Sequence, residues 1–355
     1  MKKFLLVFLI VLIFVASNLF ADDLEETLQE LSEDAAKSYV NPVVSAFGSN
    51  LNGGWYHKAP KSKIFGIDIE IGVVFMGTLF DADNKTFSTE GSFRFNRNQA
   101  EELTVDLPSA IQDSVINAII TQDFDVGIYG PTIVGDKKDS VKIEFYSEDV
   151  TYNSPSGDTA TVNVPGKVIP LPVKGLLGEV PALPLFAPQL SVGTVFGTQA
   201  VLRYVPAIEI ENLGEFNYFG FGIQHNPKVW LPISIPVDIS ASFFTQSMEI
   251  GDVASANATA FGLNVSKTFG VKMLNLTPYG GYMYENSSME FNYDYAIDTP
   301  AGPSTQEISF KLDGENESRI TVGLSLRLGV LNLNVDYNMA KYNSVTAGVG
   351  FGLTF

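Results

Sequence analysis

Two histidines, His57 and His225, are the side chains of this 355-residue chain best suited to proton transfer, and neither sits in a motif that specifies a role. Acyl-transfer chemistry needs a histidine beside a nucleophile or carboxylate. His57 follows Trp55 and Tyr56, and His225 lies in "GIQHNPKVW", at the end of a strand-like run. Both read as structural or interfacial, and no enzyme activity is expected. With no cysteine present there can be no disulfide and no thiolate metal site. "DADN" (81–84) and "DGENE" (313–317) supply oxygen ligands, but neither completes a calcium loop. No cofactor is expected. The formal charge of -18 argues against nucleic acid, whose binding rests on basic residues neutralising phosphates.

The charges that remain to be placed fall on alternate positions of apolar runs, so the elements that carry them decide their role. Ile320, Val322, Leu324, Leu326 and Leu328 alternate with Arg319, Thr321, Gly323, Ser325 and Arg327. Leu331, Leu333, Val335, Tyr337 and Met339 alternate with Asn332, Asn334, Asp336 and Asn338. A strand sends successive side chains to opposite faces, so each run has one apolar and one polar or small face. Similar runs occur near 64–80, 189–197, 199–211, 215–225, 233–246, 258–269, 274–285 and 345–355, giving at least ten strands. The segments 86–96 and 139–152 are further candidates.

No run of 18 apolar residues follows the leader, yet the mean hydropathy is +0.14. Hydrophobicity spread over alternate positions of strands long enough to cross a bilayer is the pattern of a membrane barrel. The fold class expected is all-β: an antiparallel transmembrane β-barrel of about 10–14 strands with an N-terminal helix and a long plug or loop insertion. A water-soluble sandwich alternates too, but its strands are shorter. The turn Gly329-Val330 keeps two apolar faces on one side and suits a type II′ hairpin; "FGVK" (269–272) reads as the same device. Longer connections are expected at 246–257, 286–317 and 340–344, opposite the tight turns. The terminal "VTAGVGFGLTF" is expected to close the barrel against the run holding Phe65, Ile67, Ile69, Ile71, Val73 and Phe75.

If apolar positions face lipid, then Asp68, Glu70, Arg203, Glu209, Glu211, Asp238, Arg327, Asn334 and Asp336 line the lumen. They form either a network of paired charges filling a narrow interior or a polar path for a solute.

Residues 1–21 read as a cleaved secretory signal: Lys2 and Lys3, the apolar Phe4–Ala16 and the site Leu19-Phe20-Ala21. Losing both lysines takes the charge from -18 to -20. Residues 22–60 follow as an N-terminal helix (22–39) and a segment able to plug the barrel; 61–355 form the barrel, including an insertion at 81–188. That insertion is too long for a structureless loop and holds a helix-like piece, Pro108 to Thr121. Its proline-rich end, 164–188, is expected to avoid a central strand and to fold over the barrel mouth or into the lumen, where it would capture a hydrophobic solute.

At "LFAPQLSVGTVFGTQAVLRYVPAIEI" (185–210), "FGFGIQHNPKVWLPISIPVDIS" (219–240) and "YVNPVVSAFGSNLNGGWYHKA" (39–59) the sequence resembles a family of uncharacterised bacterial outer-membrane barrels, a domain-of-unknown-function group. That resemblance implies a Gram-negative outer-membrane location and this fold. The final Phe355 resembles the terminal signature of such proteins, which implies recognition by the barrel-assembly machinery. A looser likeness is to the long-chain fatty-acid transporter family. The function expected is a narrow or plugged, porin-like conduit for a small or hydrophobic solute, with outer-membrane lipid as its surroundings. The alternative is a structural or interaction barrel without transport.

Overall fold

The computed structural model describes residues 33–154, 157–178, 180–210, 214–230, 235–251, 254–271, 273–299 and 302–354. The expected signal (1–21), Glu211 and Phe355 lie outside them. The described chain divides into two units, one built on residues 43–80 and 181–354, the other on residues 33–42 and 81–180. A helix, α1 (Glu33–Leu51), contributes residues to each. It includes residues 33–39 of the helix the sequence predicts over 22–39 and runs on to Leu51; residues 22–32 of that expectation lie outside the described residues.

In chain order the strands are β1 (Phe65–Leu79), β2 (Thr86–Phe93), β3 (Phe124–Pro131), β4 (Ser140–Phe145), β5 (Glu148–Asn153), β6 (Thr159–Val164), β7 (Lys167–Lys174), β8 (Ala182–Val195) and β9 (Thr198–Ile210). They continue as β10 (Gly214–His225), β11 (Asp238–Ile250), β12 (Ala254–Ser266), β13 (Phe269–Val271), β14 (Leu274–Thr299), β15 (Gly302–Asp313), β16 (Ser318–Leu328), β17 (Leu331–Met339) and β18 (Ser344–Thr354).

In the first unit ten antiparallel strands close into a barrel. The order runs β12-β11-β10-β9-β8-β1-β18-β17-β16-β14, and β14 pairs back onto β12. The two extra strands, β13 and β15, each pair with β14. Terminal strand β18 meets β1 in the register Ile69↔Leu353, Ile71↔Phe351, Phe75↔Ala347, as the alternation of both runs predicts. Closure leaves no free edge.

The alternating residues separate as expected. Phe65, Ile71, Phe219, Leu263, Val322 and Phe351 are exposed on the outside, while Thr78, Arg203, Ser242, Asn264, Thr321 and Thr346 are buried on the inside. An exposed apolar surface on every barrel strand exceeds any patch a water-soluble monomer carries; it is a surface for acyl chains.

The turns decide the register. Gly329 has φ +64 and Val330 does not follow it into positive φ, which is the II′ geometry. Phe196 (φ 48) and Gly197 (φ 68) both do so between β8 and β9, as a type I′ turn requires. "FGVK" differs from expectation: Val271 pairs with Leu274, so the reversal falls after Val271 and not at Gly270. The expected long connection at 246–257 is a short reversal instead, because β11 reaches Ile250 and β12 begins at Ala254. Residues 286–317 are mostly an extension of the β14–β15 hairpin, with Phe291 stacked on Phe310.

The second unit has its own sheets, β2-β3-β4-β7 and β5-β6, with helices α2 (Arg97–Thr104) and α3 (Ser109–Ile119). Phe145 packs edge to face on Phe95 and Phe124, which meet each other tilted. Tyr39 of α1 is buried there and donates to the Lys174 carbonyl at 2.7 Å. That burial holds its phenol well above the ordinary tyrosine range. The segments 86–96 and 139–152 therefore belong to this unit and not to the barrel.

The proline-rich 164–188 is a correction. It is not a loop: β7 joins the second unit's sheet, and β8 is a barrel strand. Pro184 and Pro188 stand opposite Gly77 and Val73 of β1, whereas pairing of β8 with β9 begins only at Gln189. Up to that point β8 has one neighbour, so two missing N–H groups of the same parity cost no ladder bond on the other side.

Candidate functional site: the barrel lumen

Residues 43–60, the second half of α1 and the chain after it, touch the inward face of all ten barrel strands. Asn50 donates to the Leu183 carbonyl of β8 at 2.8 Å and accepts from Thr78 of β1 at 2.8 Å. Asn52 donates to the Asn286 carbonyl of β14 and accepts from Gln246 of β11, each at 3.3 Å. Ala59 N–H donates to Ser266 of β12 at 2.9 Å. Asn226, just beyond β10, donates to the Pro60 carbonyl at 2.7 Å. Gly53 and Gly54 lie against Thr346 of β18.

Two arginines clamp this segment. Arg203 of β9 is fully buried and donates to the Gly53 carbonyl at 2.8 Å, the Leu51 carbonyl at 3.3 Å and Gln189 at 2.9 Å. Its guanidinium lies 4.0 Å from the centroid of the Trp55 ring, a cation–π geometry. Trp55 also stacks on Phe244 at 5.0 Å. Room for the indole comes from β10: a Cβ on Gly220 would lie 2.8 Å from it. Tyr56 packs beside Phe244 and meets Tyr279 edge-on at 6.0 Å.

Arg319 of β16 donates to the Ser49 carbonyl at 2.8 Å and pairs with Glu285 of β14 at 2.9 Å, both side chains buried. A buried pair of this kind is strongly destabilised if either partner is lost.

The lumen residues expected from sequence are spread over three levels. Arg203 and Asp336 lie in the middle, where Asp336 accepts from Tyr279 at 2.8 Å and from Asn338 at 2.7 Å. Glu70 meets His57 at 3.5 Å, Lys58 at 3.7 Å and the Asn332 amide. Glu70 and Asn334 together line a small cavity of about 20 Å³. Asp238 and Arg327 share a larger cleft at the end of the tight turns, and Asp68 accepts a long hydrogen bond from Thr194 at 3.5 Å.

Glu209 is the exception. A bulge near Pro206 shifts the register, so Ile208 pairs with Phe216 and Glu209 with Glu215. The shift turns Glu209 to the outer face, where it is exposed.

His225 accepts from the Trp230 indole at 3.2 Å and lies 2.9 Å from the Thr198 hydroxyl. Among the described residues no cluster of three metal-ligating side chains occurs.

Trp55, Tyr56, Arg319, Glu285, Phe244 and Tyr279 carry much of the interior and were not singled out by sequence. For Arg319 the signal was present, since it shares the polar phase of Arg327. For Phe244 there was none, because an apolar residue on the inward phase looks like a break in the pattern.

A closed ten-strand antiparallel barrel, apolar outside and polar inside, defines the class: an outer-membrane-type β-barrel. The chain belongs to the family described as a family of unknown function (DUF6588), whose profile matches residues 1–353. No curated protein matches it. Among solved structures, the outer-membrane protease OmpT of Escherichia coli is 9% identical, covering 82% of this chain and 98% of that one, with a TM-score of 0.28. The N-terminal β-barrel domain of Pseudomonas aeruginosa OprF is 17% identical over 39% of this chain and 87% of that one, with a TM-score of 0.20. The transport unit of the E. coli autotransporter AIDA-I is 8% identical over 87% and 98%, with a TM-score of 0.25. Similarities this low carry no argument; the barrel is read from the strand pairing.

Proposed function

We propose that this protein resides in the outer membrane of a Gram-negative cell and that residues 43–60 plug its lumen. The plugged barrel passes a small or hydrophobic solute only when that segment shifts. The tight turns face the periplasm, and assembly uses the barrel-assembly machinery after export by a cleaved signal. No catalysis and no cofactor enter this reading.

The observation that supports it is the way the segment is held. Besides the apolar cluster around Trp55 and Tyr56 and the buried side chains of Val43, Val44 and Leu51, the segment is held by hydrogen bonds and ion pairs to the strand walls. Such contacts exchange for water at modest cost when the segment moves. A barrel of this strand number has just enough interior for side chains or one slender filling element.

The test is conductance in planar bilayers. The unaltered chain should be silent, and the variant Arg203→Ala with Trp55→Ala should show discrete opening events. A folded variant, verified by heat-modifiable migration in SDS gels, that stays silent defeats the conduit reading. It would favour the second reading, an interaction barrel. The folded unit of residues 81–180 supports that one, because a sheet with its own core can present a surface to a partner.

A further inference from the structure

At the end of the tight turns the barrel opens into a cleft of about 410 Å³, walled by Lys61, Asp238, Lys267 and Arg327 together with Val237 and Val271. In a chain of formal charge -18, three cations on one cleft are unexpected and need a reason. Of the carboxylates nearby, Asp68 attracts Lys61, and two others are held by further partners. Glu70 is held by Asn332, His57 and Lys58. Asp238 accepts from Asn226 at 3.3 Å and faces Lys228 at 4.0 Å.

Arg327 is fixed in the wall by donating to the Gly329 carbonyl at 3.0 Å and the Gly352 carbonyl at 2.9 Å. Lys267 sits over the Phe269 ring at 5.2 Å. Among the described residues neither Lys61 nor Lys267 forms an ion pair with a carboxylate. Like charges gathered around a partly desolvated space repel one another, and an anion in their midst relieves the repulsion. Burial holds the Lys61 ammonium below its ordinary range, and Lys58, Lys63 and Arg327 push the same way, against the pull of Asp68.

We infer that this cleft is an anion-binding site that takes a phosphate group against Lys61, Lys267 and Arg327. The group can belong to free phosphate or to the headgroup of an anionic phospholipid. The rim favours the headgroup, because Val271, Met273 and Leu274 stand exposed beside the cleft on the lipid-facing surface. The site does not depend on whether a solute crosses the lumen.

The experiment uses the full chain refolded in zwitterionic detergent and titrated calorimetrically with inorganic phosphate. In parallel, the chain is inserted in nanodiscs of phosphatidylcholine with and without phosphatidylglycerol, and retained lipid is read by native mass spectrometry. The double variant Lys61→Gln/Lys267→Gln should bind at least about tenfold more weakly, since each lost charge-assisted contact is worth roughly that factor. Lys341→Gln, a lysine paired with Glu315 away from the cleft, serves as the charge control and should change nothing. Phosphate binding lost in the double variant supports a free oxyanion, and selective loss of phosphatidylglycerol supports the headgroup. Equal binding by the double variant and the unaltered chain, or no binding of either probe, overturns the inference. Heat-modifiable migration of all variants shows that the barrel itself has folded.

Discussion

The guanidinium of Arg203 lies 4.0 Å from the ring of Trp55, and that ring also stacks on Phe244 at 5.0 Å. One residue of the interior segment is thus held by two walls of the barrel, a cation from β9 and an aromatic ring from β11. Arg203 also donates to the Leu51 and Gly53 carbonyls, so ring and backbone are gripped together.

The two tryptophans should report on inside and outside separately. Trp55 is 1% exposed and Trp230 is 62% exposed, stacked on Phe196 at the barrel rim. With Trp230→Phe, the remaining emission should be blue-shifted and resist quenching by both acrylamide and brominated lipids. With Trp55→Phe, the remaining emission should be quenched by brominated lipids. Strong acrylamide quenching of Trp55 would mean that the interior segment is not seated in the lumen.

Closure between the first and last barrel strands can be tested by crosslinking, and the native chain contains no cysteine to confuse the result. Ile71→Cys with Phe351→Cys places two thiols on directly opposed residues and should oxidise readily. Ile71→Cys with Val345→Cys should not, because Val345 stands opposite Gly77. Equal crosslinking of both pairs would refute the register.

The Arg319–Glu285 pair should be more costly to break than to replace. Glu285→Gln leaves a buried guanidinium short of its counter-charge and should lower stability by roughly 3–5 kcal/mol. Arg319→Met with Glu285→Leu removes both charges and should lose much less, although the Ser49 carbonyl then lacks its donor. Urea unfolding in detergent, followed by heat-modifiable migration, measures both. A double variant as unstable as the single one would show that the charge pairing is not what matters there.

Several features were legible because they depend only on period two and turn chemistry. Ile320 to Leu328 and Leu331 to Met339 display outward and inward faces directly, and Gly329 between them names its own turn. The same counting failed at Glu209, because a bulge one turn of pleat earlier reverses the phase and leaves no mark in the residue types. It failed at Pro184 and Pro188 for a different reason. Proline excludes a strand with two neighbours, and nothing local says that this half of β8 has only one.

By itself the sequence determined which side chains look outward, where the chain reverses tightly, and that first and last strands can meet without leaving an edge. These are consequences of short-range backbone geometry and of burying apolar surface, and both are written in residue order. Only the tertiary structure decided what fills the barrel and which charges meet there. Arg203 with Trp55, Arg319 with Glu285, and Lys61 with Lys267 and Arg327 are brought together by barrel closure across long stretches of chain. Long-range pairing of that kind leaves no periodic trace, since it depends on the joint positions of many strands.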